Sequence, residues 1–244
     1  MATFVLVHGA WHGGWCFDSV RSLLEAEGHV VLTPDLPAMG GSDAALSACT
    51  LEGWGRFIAD LCQDATQPVI LAGHSRGGIV ISTAAEAAPG AIKALVYICA
   101  MLLPSGMSRG EWKALAAPNP AFDAIVERHP TASATMINPT HAATIFAQMS
   151  PPDQVAAAMK RLVAEPDRPR LTPLSLTDTR YGSVPRHYIE CLQDRAIPIA
   201  DQRAMQARQP CTSVTAINCD HSPFLSAPRA LADALLAVAQ GLLQ

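Results

Sequence analysis

Uninterrupted apolar runs recur along the first hundred residues, and segments with helical spacing fill the gaps between them. Thr3 to Val7 is apolar and rich in β-branched residues, which predicts a buried strand. Trp15 to Glu27 places Val20, Leu23 and Leu24 on one face, so a helix is expected there, closed by Gly28. His29 to Thr33 reads as the next strand. Residues 34–42 are dense in Pro, Gly, Asp and Ser and predict a loop. Leu51 to Cys62 carries Trp54, Ile58 and Leu61 at helical spacing. Val69 to Ala72 is a strand, a helix follows it, and Lys93 to Ala100 is another buried strand. Continuous apolar runs alternating with helices predict a parallel sheet covered on both faces. Ligands of such sheets bind beyond the carboxyl ends of the strands.

The pattern changes at Leu103. Up to Tyr181 the chain is rich in Pro and Ala and offers no convincing strand. Short helical patches cover Arg109 to Ala116, His141 to Met149 and Asp153 to Val163. This predicts a helical cap, residues 103–182, inserted into a core of residues 1–102 and 183–244 and closing over the site as a mobile lid. Alternation then resumes. Strands are expected at Arg186 to Leu192 and Thr212 to Cys219, with helices at Ile199 to Ala207 and Pro228 to Leu243. The fold expected is one α/β domain with a mostly parallel six-stranded sheet.

Between the strand ending at Ala72 and its following helix stands Gly73-His74-Ser75-Arg76-Gly77. A G-x-S-x-G turn from strand to helix holds its serine in a strained conformation with the hydroxyl pushed out above the sheet. A serine hydroxyl becomes a nucleophile only when a base takes its proton and an acid orients that base. His221 follows the last strand and Asp194 follows the strand before it, so the chain order is Ser75, Asp194, His221. Other carboxylates fit less well. Asp220 adjoins His221, Glu190 lies within a strand, and Asp178 lies at the wrong end of one. Of the other histidines, His8, His12 and His74 lie near the site in structural or pocket-lining roles. His29, His129, His141 and His187 sit at element edges and read as surface residues. Backbone N–H groups of Ala10 and Arg76 are the expected oxyanion donors. The Arg76 side chain is open between pairing with a carboxylate behind the site and simple solvation.

Half of the 244 residues are apolar and 16% are charged, with a net charge of −4. That suits one large core and gives no basic surface for nucleic acid. No apolar run reaches membrane-spanning length, and the N-terminus enters a strand directly without a basic leader, so a cytoplasmic protein is expected. Seven cysteines without a C-x-x-C pair read as reduced thiols. No H-x-x-x-H and no G-x-G-x-x-G after a strand occurs, so neither metal nor cofactor is expected. The expected partner is a small-molecule ester, and a homodimer stays open.

Across Phe4 to Trp15, the Asp35-Leu36 loop, Gly73 to Gly78, Tyr181 to Arg186 and Asp220-His221, the chain resembles the α/β-hydrolase superfamily. Within it, the chain more closely resembles the plant methylesterase and hydroxynitrile lyase branch and its bacterial esterase relatives. The nucleophile, acid and base of that branch fall on Ser75, Asp194 and His221. Its lyases carry threonine, glutamate and lysine where this chain has Gly9, His74 and Ser222, so the resemblance implies an esterase. Arg76 departs from the small or apolar residue usual there and leaves the shape of the pocket floor open. The function expected is a serine carboxylesterase acting on small to medium apolar or aromatic esters through an acyl-enzyme. Candidate substrate contacts are Gly9, His74, Trp112, Phe122, Phe146 and Phe224, although such residues are more often core than pocket. Cyanohydrin-type carbon–carbon cleavage or cofactor-free oxygenation on the same triad, and a receptor without turnover, remain alternatives.

Overall fold

The computed structural model describes residues 1–242. Strands β1 (Thr3–Val7) and β2 (Val30–Leu32) flank helix α1 (Asp18–Ala26). Helices α2 (Asp43–Ala48) and α3 (Leu51–Gln63) lead to β3 (Val69–His74), α4 (Gly77–Ala87) and β4 (Ile92–Ile98). The chain then leaves this sheet. It forms α5 (Arg109–Leu115), α6 (Pro120–Asp123), β5 (Val126–Arg128), β6 (Ala134–Ile137), α7 (Pro139–Phe146), α8 (Pro152–Met159), β7 (Glu165–Pro166) and α9 (Asp167–Leu171). It returns with β8 (Arg186–Cys191), α10 (Ile199–Arg208), β9 (Ser213–Ile217), α11 (Pro223–Ser226) and α12 (Pro228–Gly241).

Six strands pair in the order β2-β1-β3-β4-β8-β9, every neighbour parallel. Successive side chains of a strand face opposite ways, so each inner strand feeds two cores. Val5, Val7, Leu71, Leu95 and Tyr97 pack with Trp54 and Ile58 of α3 and with Ile79 and Val80 of α4. Phe4, Leu6, Ile70, Val96 and Ile98 pack on the other face with Val20 and Leu24 of α1 and with Leu231 and Leu235 of α12. Burial on both faces is why these strands carry unbroken apolar runs. A third cluster belongs to the insertion, where Trp11 packs with Phe122, Ile125, Ile137, Ile145 and Phe146.

Several expectations are corrected. The insertion is not purely helical: β5, β6 and β7 form a small antiparallel sheet. These strands are two to four residues long, too short to display alternation. Helix α2 follows the 34–42 loop unannounced, started by the Ser42 side chain accepting from the Ala45 amide. His187 is buried rather than on the surface, because β8 runs between β4 and β9; its Nδ1 meets Ser213 Oγ at 2.8 Å. Leu243, the expected end of the last helix, lies outside the described residues. Among the described residues, no helix is long and apolar enough to cross a membrane.

Candidate active site

The carboxyl ends of β1, β3, β8 and β9 converge on one point. After β3 the chain must turn sharply into α4, and Ser75 at the apex takes a left-handed conformation with φ of 53°. Two glycines permit the turn. A Cβ on Gly73 would sit 2.7 Å from the Gly77 carbonyl oxygen, and one on Gly77 would sit 2.7 Å from the carbonyl oxygen of Val7. The strained peptide is clamped on both sides: the Ser75 amide donates to Ile98 O, and Ser75 O accepts from the Met101 amide.

Ser75 Oγ lies 3.0 Å from His221 Nε2, and His221 Nδ1 lies 2.7 Å from Asp194 Oδ2. The acid is itself held. Asp194 Oδ1 accepts from the amides of Ala196 and Ile197 at 2.7 and 2.8 Å, and Oδ2 lies 3.4 Å from Gln202 Nε2. Gln202 is fully buried and also ties to both backbone groups of Cys191, so α10 braces the loop after β8. The His221 carbonyl accepts from His74 Nε2 at 2.7 Å, which fixes the loop after β9 from behind. Asp220 turns away from the ring and accepts from the Met149 amide and Ser150 Oγ of the insertion. Glu190 pairs with Arg203 and Gln206.

The loop after β1 is fixed by polar side chains at its back. Gly9 O accepts from Arg76 Nη2 and from His8 Nδ1, both at 2.9 Å. His8 Nε2 in turn accepts from the Leu36 amide, and His12 Nδ1 donates to Ala10 O at 2.7 Å. Burial, together with the Arg76 charge, lowers the His8 pKa to about 3, and burial lowers that of His12 to about 4. Burial also holds His74 well below its ordinary value, with the His221 and His12 rings adding to the effect. These three rings are therefore neutral at pH 7. Arg76 is 4% exposed; its Nε lies 2.5 Å from Glu165 Oε1, and its guanidinium stacks 4.3 Å from the Trp54 ring centroid. Glu165 comes from the insertion and is 1% exposed. Pairing, not solvation, thus describes the Arg76 side chain. Burial drives the Glu165 carboxyl above its usual range while Arg76, Arg109 and Arg170 oppose that rise.

One cavity, about 720 Å³ including its mouth, contains Ser75 and His221 in its wall. Phe122, Phe146, Ala10 and His74 line it, as do Trp11, Thr135, Arg109, Glu165 and Arg170, which the sequence did not single out as contacts. Trp112 is not in its wall; it belongs to the core cluster, lies under the Arg208 guanidinium and lines an adjoining cavity that shares Arg109, Lys113 and Phe122 with the first. Phe224 is fully buried beneath His12, His74 and Phe17, and Gly9 lies against His74, where a Cβ would come within 2.8 Å of Nδ1. None of those three is in the wall of the cavity that contains Ser75. His74, Cys99 and His221 bring three possible metal-ligand atoms within 4.8 Å of one another. His74 Nε2 and His221 Nδ1 are engaged elsewhere, however, and burial keeps the Cys99 thiol protonated, its pKa pushed up to about 12. The donor set therefore suits proton transfer better than metal binding.

Comparison with known proteins agrees with this architecture. The chain is 33% identical over 250 residues to putative methylesterase 11, chloroplastic, of Arabidopsis thaliana, covering 97% of this chain but 64% of that protein's length. It is 33% identical over 239 residues to the pyrethroid hydrolase of Sphingobium wenxiniae, covering 95% of this chain and 85% of that one. The crystal structure of a pyrethroid hydrolase from Sphingobium faniae matches with a TM-score of 0.87 at 30% identity, covering 98% and 97% of the two chains. A model of the alpha/beta hydrolase family matches residues 4–234, and the chain belongs to that family.

Proposed function

We propose that this protein is a serine carboxylesterase that works through an acyl-enzyme. The observation that carries the reading is the continuous path from Ser75 Oγ through His221 to Asp194, at 3.0 and 2.7 Å, opening into a cavity with largely apolar walls. The methylesterase and pyrethroid hydrolase names of its relatives fit the same class.

His221 takes the Ser75 proton as Oγ attacks the ester carbonyl, and Asp194 stabilises the imidazolium and keeps the ring oriented. The carbonyl oxygen becomes an oxyanion held by the amides of Ala10 and Arg76. The arginine side chain has a separate role. A peptide unit is planar and trans, so its C=O and N–H point in opposite directions. With Gly9 O anchored by Arg76 Nη2 and His8 Nδ1, the N–H of Ala10 on the other edge is aimed before substrate arrives. His221 then protonates the leaving alkoxide. Water, deprotonated by His221, attacks the acyl-enzyme and releases the acid.

Trp11, Phe122 and Phe146 give the cavity apolar walls that suit aliphatic or aromatic groups. The cytoplasmic setting and a small-molecule ester as partner belong to this same proposal. The test is an aryl acetate with intact-mass detection of the acylated protein. The native chain should turn over the ester and carry a transient acyl adduct on Ser75; Ser75→Ala should do neither. An adduct elsewhere, or turnover retained in Ser75→Ala, overturns the reading.

A further inference from the structure

The cavity that contains Ser75 is not uniformly apolar. Four basic side chains (Arg76, Arg109, Lys113 and Arg170) line it, against the single carboxylate of Glu165. Most of these charges are already matched. Arg76 is held by Glu165, and Lys113 by Asp123. Arg170 shares Asp167 with Arg128, making both of its contacts to one oxygen, Oδ1. Arg109 differs. Among the described residues it forms no ion pair and no side-chain hydrogen bond, and its nearest aromatic partner is the Phe122 ring, 5.7 Å from the guanidinium carbon.

Leaving a cation half-buried without a counter-ion is costly, and nature seldom tolerates it without a partner. Burial first, and then the neighbouring Arg170, work against the Arg109 charge; Glu165 and Asp123 favour it from a distance without pairing with it. Arg109 is also fixed in place, being the first residue of α5, directly after Ser108, whose reciprocal bonds with Glu111 start the helix. That fixes where the side chain leaves the backbone, and a planar guanidinium presents a fork of donors that matches a carboxylate.

We infer that the cavity holds a subsite for a carboxylate, built on Arg109 with support from Arg170, and that the ester accepted is a half-ester of a dicarboxylic acid. This rests on the esterase reading of Ser75 and names its substrate class. The ester carbonyl lies at Ser75, an apolar spacer passes Phe122 and Phe146, and the free carboxylate meets Arg109. Hydrolysis adds one water across the ester bond and yields the dicarboxylate and the alcohol. Glu165 does not repel this anion strongly, because Arg76 lies 2.5 Å from its Oε1.

The experiment compares p-nitrophenyl hydrogen adipate with the neutral p-nitrophenyl hexanoate on the native chain, Arg109→Met and Arg109→Lys. The native chain should favour the charged ester in kcat/KM by about tenfold or more, the size of one charge-assisted contact. Arg109→Met should collapse that ratio to near one, chiefly through KM of the charged ester, and Arg109→Lys should restore part of it. A general loss of folding would lower both esters together and leave the ratio unchanged. A native preference for the neutral ester, or a ratio equal in native and Arg109→Met chains, overturns the inference. Calorimetric binding of adipate separates the two readings. If neither ester is turned over but adipate binds and Arg109→Met abolishes it, the esterase reading fails and the subsite stands. If adipate does not bind the native chain, the subsite falls whatever the esterase result.

Discussion

The loops at the carboxyl end of the sheet and the insertion above them treat polar groups in opposite ways. In the loops the groups around Ser75 are held at several points: the Asp194 carboxylate by two amides and Gln202, His221 by Asp194 at its ring and by His74 at its carbonyl, and the Gly9 carbonyl by two donors. In the insertion, basic groups outnumber the carboxylate beside them in the cavity wall, and among the described residues Arg109 forms no ion pair. A region that must act on a fleeting charge gains from having its dipoles fixed beforehand. A region that must recognise a molecule gains from leaving a group for that molecule to satisfy. The Arg76–Glu165 pair, buried on both sides, joins the two.

The sharpest way to break this contrast is at the reacting groups. His221→Ala should lower kcat by about 10⁴-fold or more with little change in KM, since the loss falls on the chemical step. An Asp194→Asn variant should fall by a similar order while keeping its fold, because the two amides can still bond the remaining oxygen. Steady-state kinetics on a neutral aryl ester check both. A loss under tenfold in either variant would mean that the proton path runs elsewhere.

The joint between the regions comes next in size. Arg76→Met leaves Glu165 buried without its cation and the Gly9 carbonyl with one donor fewer. Removing one partner of a buried pair costs about 3–5 kcal/mol, readable as a lower urea midpoint. Rate should fall by roughly 10–10² if the Ala10 amide loses its aim, short of the full loss of an oxyanion donor. The double variant Arg76→Met/Glu165→Leu removes the stranded charge and should recover most of the stability but not the rate. If both recover together, Arg76 supports the fold alone and has no part in aiming the amide.

What the sequence disclosed divides along the same line. The strands of the large sheet are buried on two faces, so their apolar runs are continuous and easily read. Thr3–Val7 falls where the pattern put it, and Ser75, Asp194 and His221 sit in loops that such strands position. The insertion resists such reading. Glu165 lies in a two-residue strand, and nothing local ties it to Arg76, so the pair exists only in three dimensions. Arg109 looks like any first-turn arginine until the cavity is seen. Trp112, with the same aromatic character as Phe122, joins the core cluster under Arg208 instead of the wall that contains Ser75. His187 deceived for a related reason: a polar residue in a strand suggests surface, but this strand has neighbours on both edges.

Acid should expose how tightly the loops are held. His8, His12 and His74 have folded pKa values below the unfolded value near 6.5. Above pH 6.5 both states are neutral and nothing is lost. Below it the unfolded chain takes up protons that the folded chain refuses, so stability falls as pH falls, down to about 4 for His12 and about 3 for His8. Each ring contributes about 1.4 kcal/mol per pH unit within its window. Urea unfolding between pH 7 and 4.5 should show this slope, and His12→Gln, which keeps a donor for Ala10 O, should reduce it by about one ring's share. A flat profile across that range would mean the rings are hydrated and the loops looser than described.

The smallest effect expected is at Trp112, and it tests where recognition stops. Phe122 and Trp112 both belong to the insertion, yet only Phe122 lines the cavity. Phe122→Ala removes apolar wall that a substrate would cover, so KM for an aryl ester should rise, by about tenfold for a side chain of that size. Trp112→Phe keeps a ring in the core and costs about 1.5 kcal/mol or less of stability. Its KM should stay within about twofold of the native value. A KM change at Trp112 equal to that at Phe122 would mean that α5 presents its other face to the substrate, and Arg109, on the same short helix, would then have to be reassigned with it.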